Sequence, residues 1–156
     1  MIFVTVGTHH FEFERLIKEI DNIAGVIDEK VIAQIGSTKY TPKNMIYYKF
    51  LEEKKLLEFL KKARVVISHA GAGTLLSALT FKKPLILVPR LKKFNEVIDN
   101  HQIELAEELK RKGKAVVIYD IKELEKTLKK IKKNKYEKNK KDEKLVDFLK
   151  EYIREL

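Results

Sequence analysis

Between Val65 and Thr74 the chain reads Val65-Val66-Ile67-Ser68-His69-Ala70-Gly71-Ala72-Gly73-Thr74, a β-branched run that passes without a break into small residues. Leu75 to Phe81 then read as the first turns of a helix. A buried strand that enters a helix through glycines leaves backbone N–H groups unpaired at the helix start, where the helix dipole also favours an anion. Gly71 and Gly73 carry no Cβ to hold a phosphate away from the backbone, and Thr74 adds a hydroxyl. Taken alone, the same residues equally describe a tight packing turn in which glycine only lets strand and helix approach.

The flanking sequence repeats the alternation. Short apolar runs at Ile2 to Val6, Val31 to Gly36, Met45 to Phe50, Arg64 to Ser68, Pro84 to Pro89 and Ala115 to Tyr119 predict six strands. Between them, Phe13, Leu16, Ile17 and Ile20, then Leu56, Leu57, Phe59 and Leu60, recur with helical spacing, and Gly113 ends a further helix. Runs that are continuously apolar mark strands covered on both faces, so the pattern predicts an α/β fold with a doubly wound parallel, Rossmann-like sheet. Such sheets bind ligands beyond the carboxyl ends of their strands. Gly7-Thr8-His9-His10, the turn at His69 and the segment after Pro89 all fall on that edge.

Residue by residue, two readings stay open. His69 is either a ligand contact or a core histidine bonded to a backbone carbonyl. Asp99-Asn100-His101-Gln102 is either a polar contact or a helix start capped by Asp99 or Asn100. Adjacent His9 and His10 lack the usual spacing of metal ligands, which favours a polar loop touching a ligand over a metal site.

With 33 Lys and Arg against 23 Asp and Glu in 156 residues, the formal charge is +10, which suits anionic partners: nucleotides, nucleic acid or an acidic membrane face. The absence of cysteine rules out a disulfide framework and a thiolate metal site, and fits the cytoplasm. No apolar run approaches the roughly 18 residues that a spanning helix needs, so any membrane contact is expected to be peripheral. Residues 1–131 read as one domain, 132–141 as a lysine-rich linker and 142–156 as an amphipathic helix with Leu145, Phe148, Leu149, Tyr152, Ile153 and Leu156 on one face. That face packs either on this domain or on a partner. Apart from Tyr136 the basic residues lack interleaved aromatics, and Gly71-Ala72-Gly73 lacks the third glycine of a dinucleotide fingerprint. The missing aromatics weigh against a basic nucleic-acid- or nucleotide-binding module without transferase activity, which stays open as the alternative, and the missing glycine sets a dehydrogenase aside.

Read together, Val4-Thr5-Val6-Gly7-Thr8, Ile67 to Thr74, Lys83 to Pro89 and Asp99-Asn100-His101-Gln102 resemble the C-terminal domain of family 28 glycosyltransferases. The likeness is closer still to the short catalytic subunit of split enzymes, such as the dolichol-pathway N-acetylglucosaminyltransferase and bacterial exopolysaccharide glycosyltransferases, and it runs from Met1 to Ala115. The resemblance implies the donor-binding half of a GT-B fold, holding a UDP-sugar. His69, Gly71, Gly73 and Thr74 would face the donor diphosphate, Gly7 and Thr8 would close the other side, and Asn100, His101 and Gln102 would face sugar hydroxyls or the neighbouring phosphate. It also implies inverting transfer of N-acetylglucosamine or a similar sugar to a lipid-linked acceptor, with a membrane-anchored acceptor-binding subunit as partner and nucleic acid not expected. No cofactor is implied, and without an Asp-x-Asp element neither is a metal. Glu12, Glu14 and Asp99 lie near the edge, but none is assigned as base, because in the fused relatives the base is attributed to the other domain. One departure stands out. The family commonly carries an acidic residue for the ribose hydroxyls where this chain has Ser77, whose hydroxyl would hold a ribose less firmly than a carboxylate.

Overall fold

The computed structural model describes residues 1–131 and 143–155. Six parallel strands form one sheet in the spatial order β3-β2-β1-β4-β5-β6, where β1 is Ile2–Thr5, β2 Val31–Gln34, β3 Ile46–Tyr48, β4 Val65–Ser68, β5 Leu85–Leu87 and β6 Val116–Val117. The order reverses between β1 and β4, which pair in register from Ile2 opposite Val65 to Thr5 opposite Ser68. This is the doubly wound arrangement that the alternating runs predict, and its switch point opens a crevice at the carboxyl ends of β1 and β4.

The helices are α1 (Glu14–Ala24), α2 (Glu53–Lys62), α3 (Ala72–Thr80), α4 (His101–Arg111), α5 (Leu124–Lys130) and α6 (Glu143–Glu155). Successive residues of β1 serve opposite faces of the sheet. Ile2 and Val4 join Leu16, Ile17 and Ile20 of α1 with Leu124 and Leu128 of α5 in one core. Phe3 joins Phe59 and Leu60 of α2, Leu75 and Ala78 of α3, and Leu105 and Leu109 of α4 in the other. The expectation of strands covered on both faces fails at the edge: Ile46, Tyr47 and Tyr48 of the edge strand β3 are all exposed.

Two boundaries differ from the expectation in ways that matter. The helix after β4 begins at Ala72 rather than Leu75, so Gly73 and Thr74 belong to its first turn. α4 begins at His101, with the Asp99 carboxylate accepting from the His101 N–H at 3.1 Å. This is the helix-start reading of Asp99-Asn100-His101-Gln102. α4 ends as Gly113 predicts: Gly113 adopts φ +67, with Gly113 N donating to Lys110 O and Lys114 N to Leu109 O.

The expected linker, 132–141, lies outside the described residues. The helix after it packs on this domain, against α3, with Leu149 wholly buried among the α3 and α4 side chains and the Tyr152 hydroxyl donating to His101 O at 3.2 Å. Phe148 and Ile153 of the same helix stay exposed.

Candidate functional site

A cleft of about 720 Å³ opens at the switch point. The loop after β1 gives it Gly7, Thr8, His9 and His10, the β4–α3 turn gives His69, Gly71, Ala72, Gly73 and Thr74, and α4 gives Gln102. Of the expected site residues, Gly7, Thr8, His69, Gly71, Gly73, Thr74 and Gln102 come together here. Asn100 and His101 do not line the cleft: Asn100 is the residue before α4, and the exposed His101 ring lies 3.6 Å from the Glu104 carboxylate. Ser77 is also outside it, one turn along α3, where its hydroxyl donates back to Gly73 O at 3.2 Å. Thr5, Gln34, Leu51 and Leu56, which no motif singles out, complete the wall.

The glycines are explained by one side chain. The His69 ring lies between the two loops, and a Cβ on Gly7 would stand 2.7 Å from its Cε1. A Cβ on Gly71 would come closer still to Nε2. Gly7 also has φ +73, a conformation that side chains rarely adopt. Gly73 is different, because a Cβ there would meet nothing within 4 Å. So Gly7 and Gly71 make room for an imidazole, while Gly73 leaves open space on the cleft side of α3.

His69 is buried, with Nδ1 3.3 Å from Thr5 O. Burial, with the Arg90 charge beside it, holds its pKa down to about 4. The neutral ring therefore carries its proton on Nδ1, donating to Thr5 O, and offers Nε2 only as an acceptor. That atom suits a hydroxyl donor and carries no positive charge for a phosphate. The donors for an anion come instead from α3. It has no side-chain cap, and the first backbone bond into it is Leu75 N to Gly71 O, so the N–H groups of its first turn are left for a ligand.

Beneath the loops lies a buried charge network with no motif in the sequence. Arg90, 1% exposed, donates from Nη1 to Phe11 O and Glu12 O, both at 2.9 Å, and from Nη2 to Val6 O at 3.0 Å. It thereby ties the loop after β1 to the segment after β5. Glu96 holds Arg15 through two hydrogen bonds, at 2.7 and 3.1 Å, and accepts from Leu91 N. Burial lowers the Arg90 pKa to about 10, still charged at neutral pH. A lone arginine after an apolar strand gives no sequence signal of this role. Gln102 is fixed by the same segment, accepting from Arg90 N at 3.3 Å.

The model of the glycosyltransferase family 28 C-terminal domain matches residues 1–156. The UDP-N-acetylglucosamine transferase subunit ALG13 of Homo sapiens is 35% identical over 125 residues, 72% of this chain and 10% of that protein. A UDP-N-acetylglucosamine–N-acetylmuramyl-(pentapeptide) pyrophosphoryl-undecaprenol N-acetylglucosamine transferase of Prochlorococcus marinus is 32% identical over 145 residues, 90% of this chain and 38% of that protein. The chain thus spans well under half the length of these relatives. Among solved structures, MurG of Acinetobacter baumannii superposes with a TM-score of 0.61 at 16% identity, over 95% of this chain and 49% of that one, a likeness of fold.

Proposed function

Because the chain belongs to the glycosyltransferase family 28 C-terminal domain family, we propose that it is the UDP-sugar-binding subunit of a two-subunit inverting glycosyltransferase. Its donor is UDP-N-acetylglucosamine or a close analogue, and its acceptor is a lipid-linked sugar held by a membrane-anchored partner that recruits it from the cytoplasm to the membrane. The observation that carries the reading is the uncapped start of α3, facing the cleft between Gly7 and Gln102. In inverting transfer the acceptor hydroxyl attacks the anomeric carbon from the face opposite the diphosphate. UDP departs with growing negative charge, and fixed N–H groups of Ala72, Gly73 and Thr74 stabilise it without having to reorganise. His69 Nε2, a neutral acceptor at the cleft wall, takes a hydroxyl of the sugar. No carboxylate among the described residues lines the cleft, so the partner subunit brings the general base along with the acceptor.

Isothermal titration with UDP, UMP and UDP-sugars tests the donor half of this reading. UDP is expected to bind more tightly than UMP, since its second phosphate reaches the α3 N-terminus. Equal affinity for uridine and UDP would overturn it. Co-expression with a membrane partner and a transfer assay containing EDTA tests the remainder, with metal-independent activity expected.

A further inference from the structure

The cleft is unusual for a protein of charge +10: among the described residues lining it there is no lysine or arginine, and its ionisable side chains are His9, His10 and His69. His69 is buried, tied to Thr5 O and neutral. We propose that the stacked His9–His10 pair receives the donor diphosphate and that His9 takes up a proton as it binds, so that donor affinity is coupled to proton uptake. This rests on the donor-site reading above and adds to it the residues that supply the charge.

The loop holds both rings in place for this. His9 and His10 stack with centroids 4.4 Å apart, and Phe11 packs on both at 5.0 and 4.4 Å. Phe11 N donates to His9 Nδ1 at 3.4 Å, and Ser37 Oγ donates to His9 O at 3.2 Å. With Nδ1 occupied as an acceptor, Nε2 is the His9 atom that carries a proton outward. The surroundings disfavour charge on His9 in the empty cleft. Its pKa lies below the ordinary histidine value through desolvation, then His10, then Arg90, with Asp99 opposing them. The other titratable groups near the loop are the neutral His69 and the Lys39–Glu12 ion pair at 3.1 Å. A diphosphate brings negative charge against this loop from one side and the α3 N-terminus from the other, reversing the balance. A group whose pKa rises on binding contributes affinity that is fully present below its free pKa and is lost as pH rises through its bound pKa. Affinity must therefore grow as pH falls across the imidazole range.

The test is isothermal titration of the full chain with UDP-N-acetylglucosamine, whose doubly esterified diphosphate keeps its charge between about pH 6 and pH 8, in buffers of differing ionisation enthalpy. Wild-type protein should bind about tenfold more tightly at the lower pH, the effect of one pKa unit at one imidazole, with net proton uptake. The His9→Gln/His10→Gln double variant changes only exposed loop side chains. It should lose the tightening at low pH and the proton uptake together. Binding by wild type that is independent of pH overturns the proposal and leaves the donor site standing. So does a pH dependence that survives in the double variant, which would implicate His101. No binding at any pH overturns the donor reading itself, and this proposal with it.

Discussion

The His69 imidazole lies so close to Gly7 that a Cβ on Gly7 would stand 2.7 Å from its Cε1. The loop after β1 and the turn after β4 are therefore one packed unit across the switch point, with His69 between them. Gly71→Ala should push the ring out of its bond to Thr5 O and lower both thermal stability and UDP affinity. Gly73→Asp separates folding from binding. Its side chain enters open space, and a carboxylate in the first turn of α3 suits the helix dipole. The variant should melt at or above the wild-type temperature and show no measurable UDP binding by titration. Retained affinity in the folded variant would mean that the diphosphate does not approach α3.

The same histidine sets a pH dependence of stability. Its pKa falls from 6.5 to about 4 on folding, through burial first and the Arg90 charge second. Between those values the unfolded chain binds more protons than the folded one, so stability must fall as pH drops through the window. The loss approaches about 3 kcal/mol at its lower end. His9, shifted in the same direction, adds to it. Glu29, held at about 2 by the Arg64 guanidinium, loses its contribution only at more acid pH, from about 4.5 downward. Urea unfolding of wild type and His69→Gln near pH 7 and pH 5 should show a smaller acid loss in the variant.

Arg90 is expected to matter for the cleft without touching a ligand. Replacing it with Met removes the donors to Val6, Phe11 and Glu12 carbonyls and leaves Glu96 beside Arg15 alone. Loss of one partner from a buried charge network costs about 3 to 5 kcal/mol. Arg90→Lys should recover only part of this, since one ammonium cannot span carbonyls on two segments as the guanidinium does. Chemical denaturation gives the ordering, and protease sensitivity of the Gly7–Glu12 loop should rise in step with it.

The sheet was legible because its signal is local: short apolar runs such as Val65–Ile67 mark strands, and all but the edge runs at Ile46–Tyr48 and Val116–Val117 mark strands with buried side chains on both faces. The strand-to-helix turn after β4 was legible in the same way, but not the reason for Gly7 and Gly71, since nothing in the sequence announces that the His69 ring occupies the space beside both. Arg90 was not legible. Nothing in Pro89-Arg90-Leu91 says that its guanidinium turns inward to carbonyls some 80 positions away in sequence. At Asn100, His101 and Gln102 the motif fixes residue types, while the start of α4 fixes which of them lines the cleft. Only Gln102 does.

Ser77 tests how far the motif reading extends. Its hydroxyl is taken up by Gly73 O, one turn back on α3, and it stands outside the cleft wall. Ser77→Ala should leave UDP affinity unchanged within about twofold, whereas Ser77→Glu, reaching further, should tighten it by about 1 kcal/mol, the worth of one added hydrogen bond. Titration of both variants with UDP and with pyrophosphate separates a ribose contact from a charge effect. A glutamate that weakens both ligands alike would show repulsion from the diphosphate instead.

The final helix carries two separable roles. Leu149 is wholly buried among α3 and α4 side chains, so Leu149→Ala should cost about 2 to 5 kcal/mol, and removal of the helix should destabilise the whole domain. Phe148 and Ile153 sit on the same helix yet remain exposed. If a membrane-bound subunit clasps this helix, the paired change Phe148→Ser and Ile153→Ser should leave the melting temperature within a degree or two and UDP binding intact, because surface changes away from the core are nearly neutral. Co-purification with the partner and sugar transfer should both fall. An unchanged complex would place the partner elsewhere, with the exposed edge strand β3 and its Tyr47 and Tyr48 the next surface to alter. A large drop in melting temperature would instead show that these two side chains pack within the domain, and the partner's contact would have to be sought off α6 altogether.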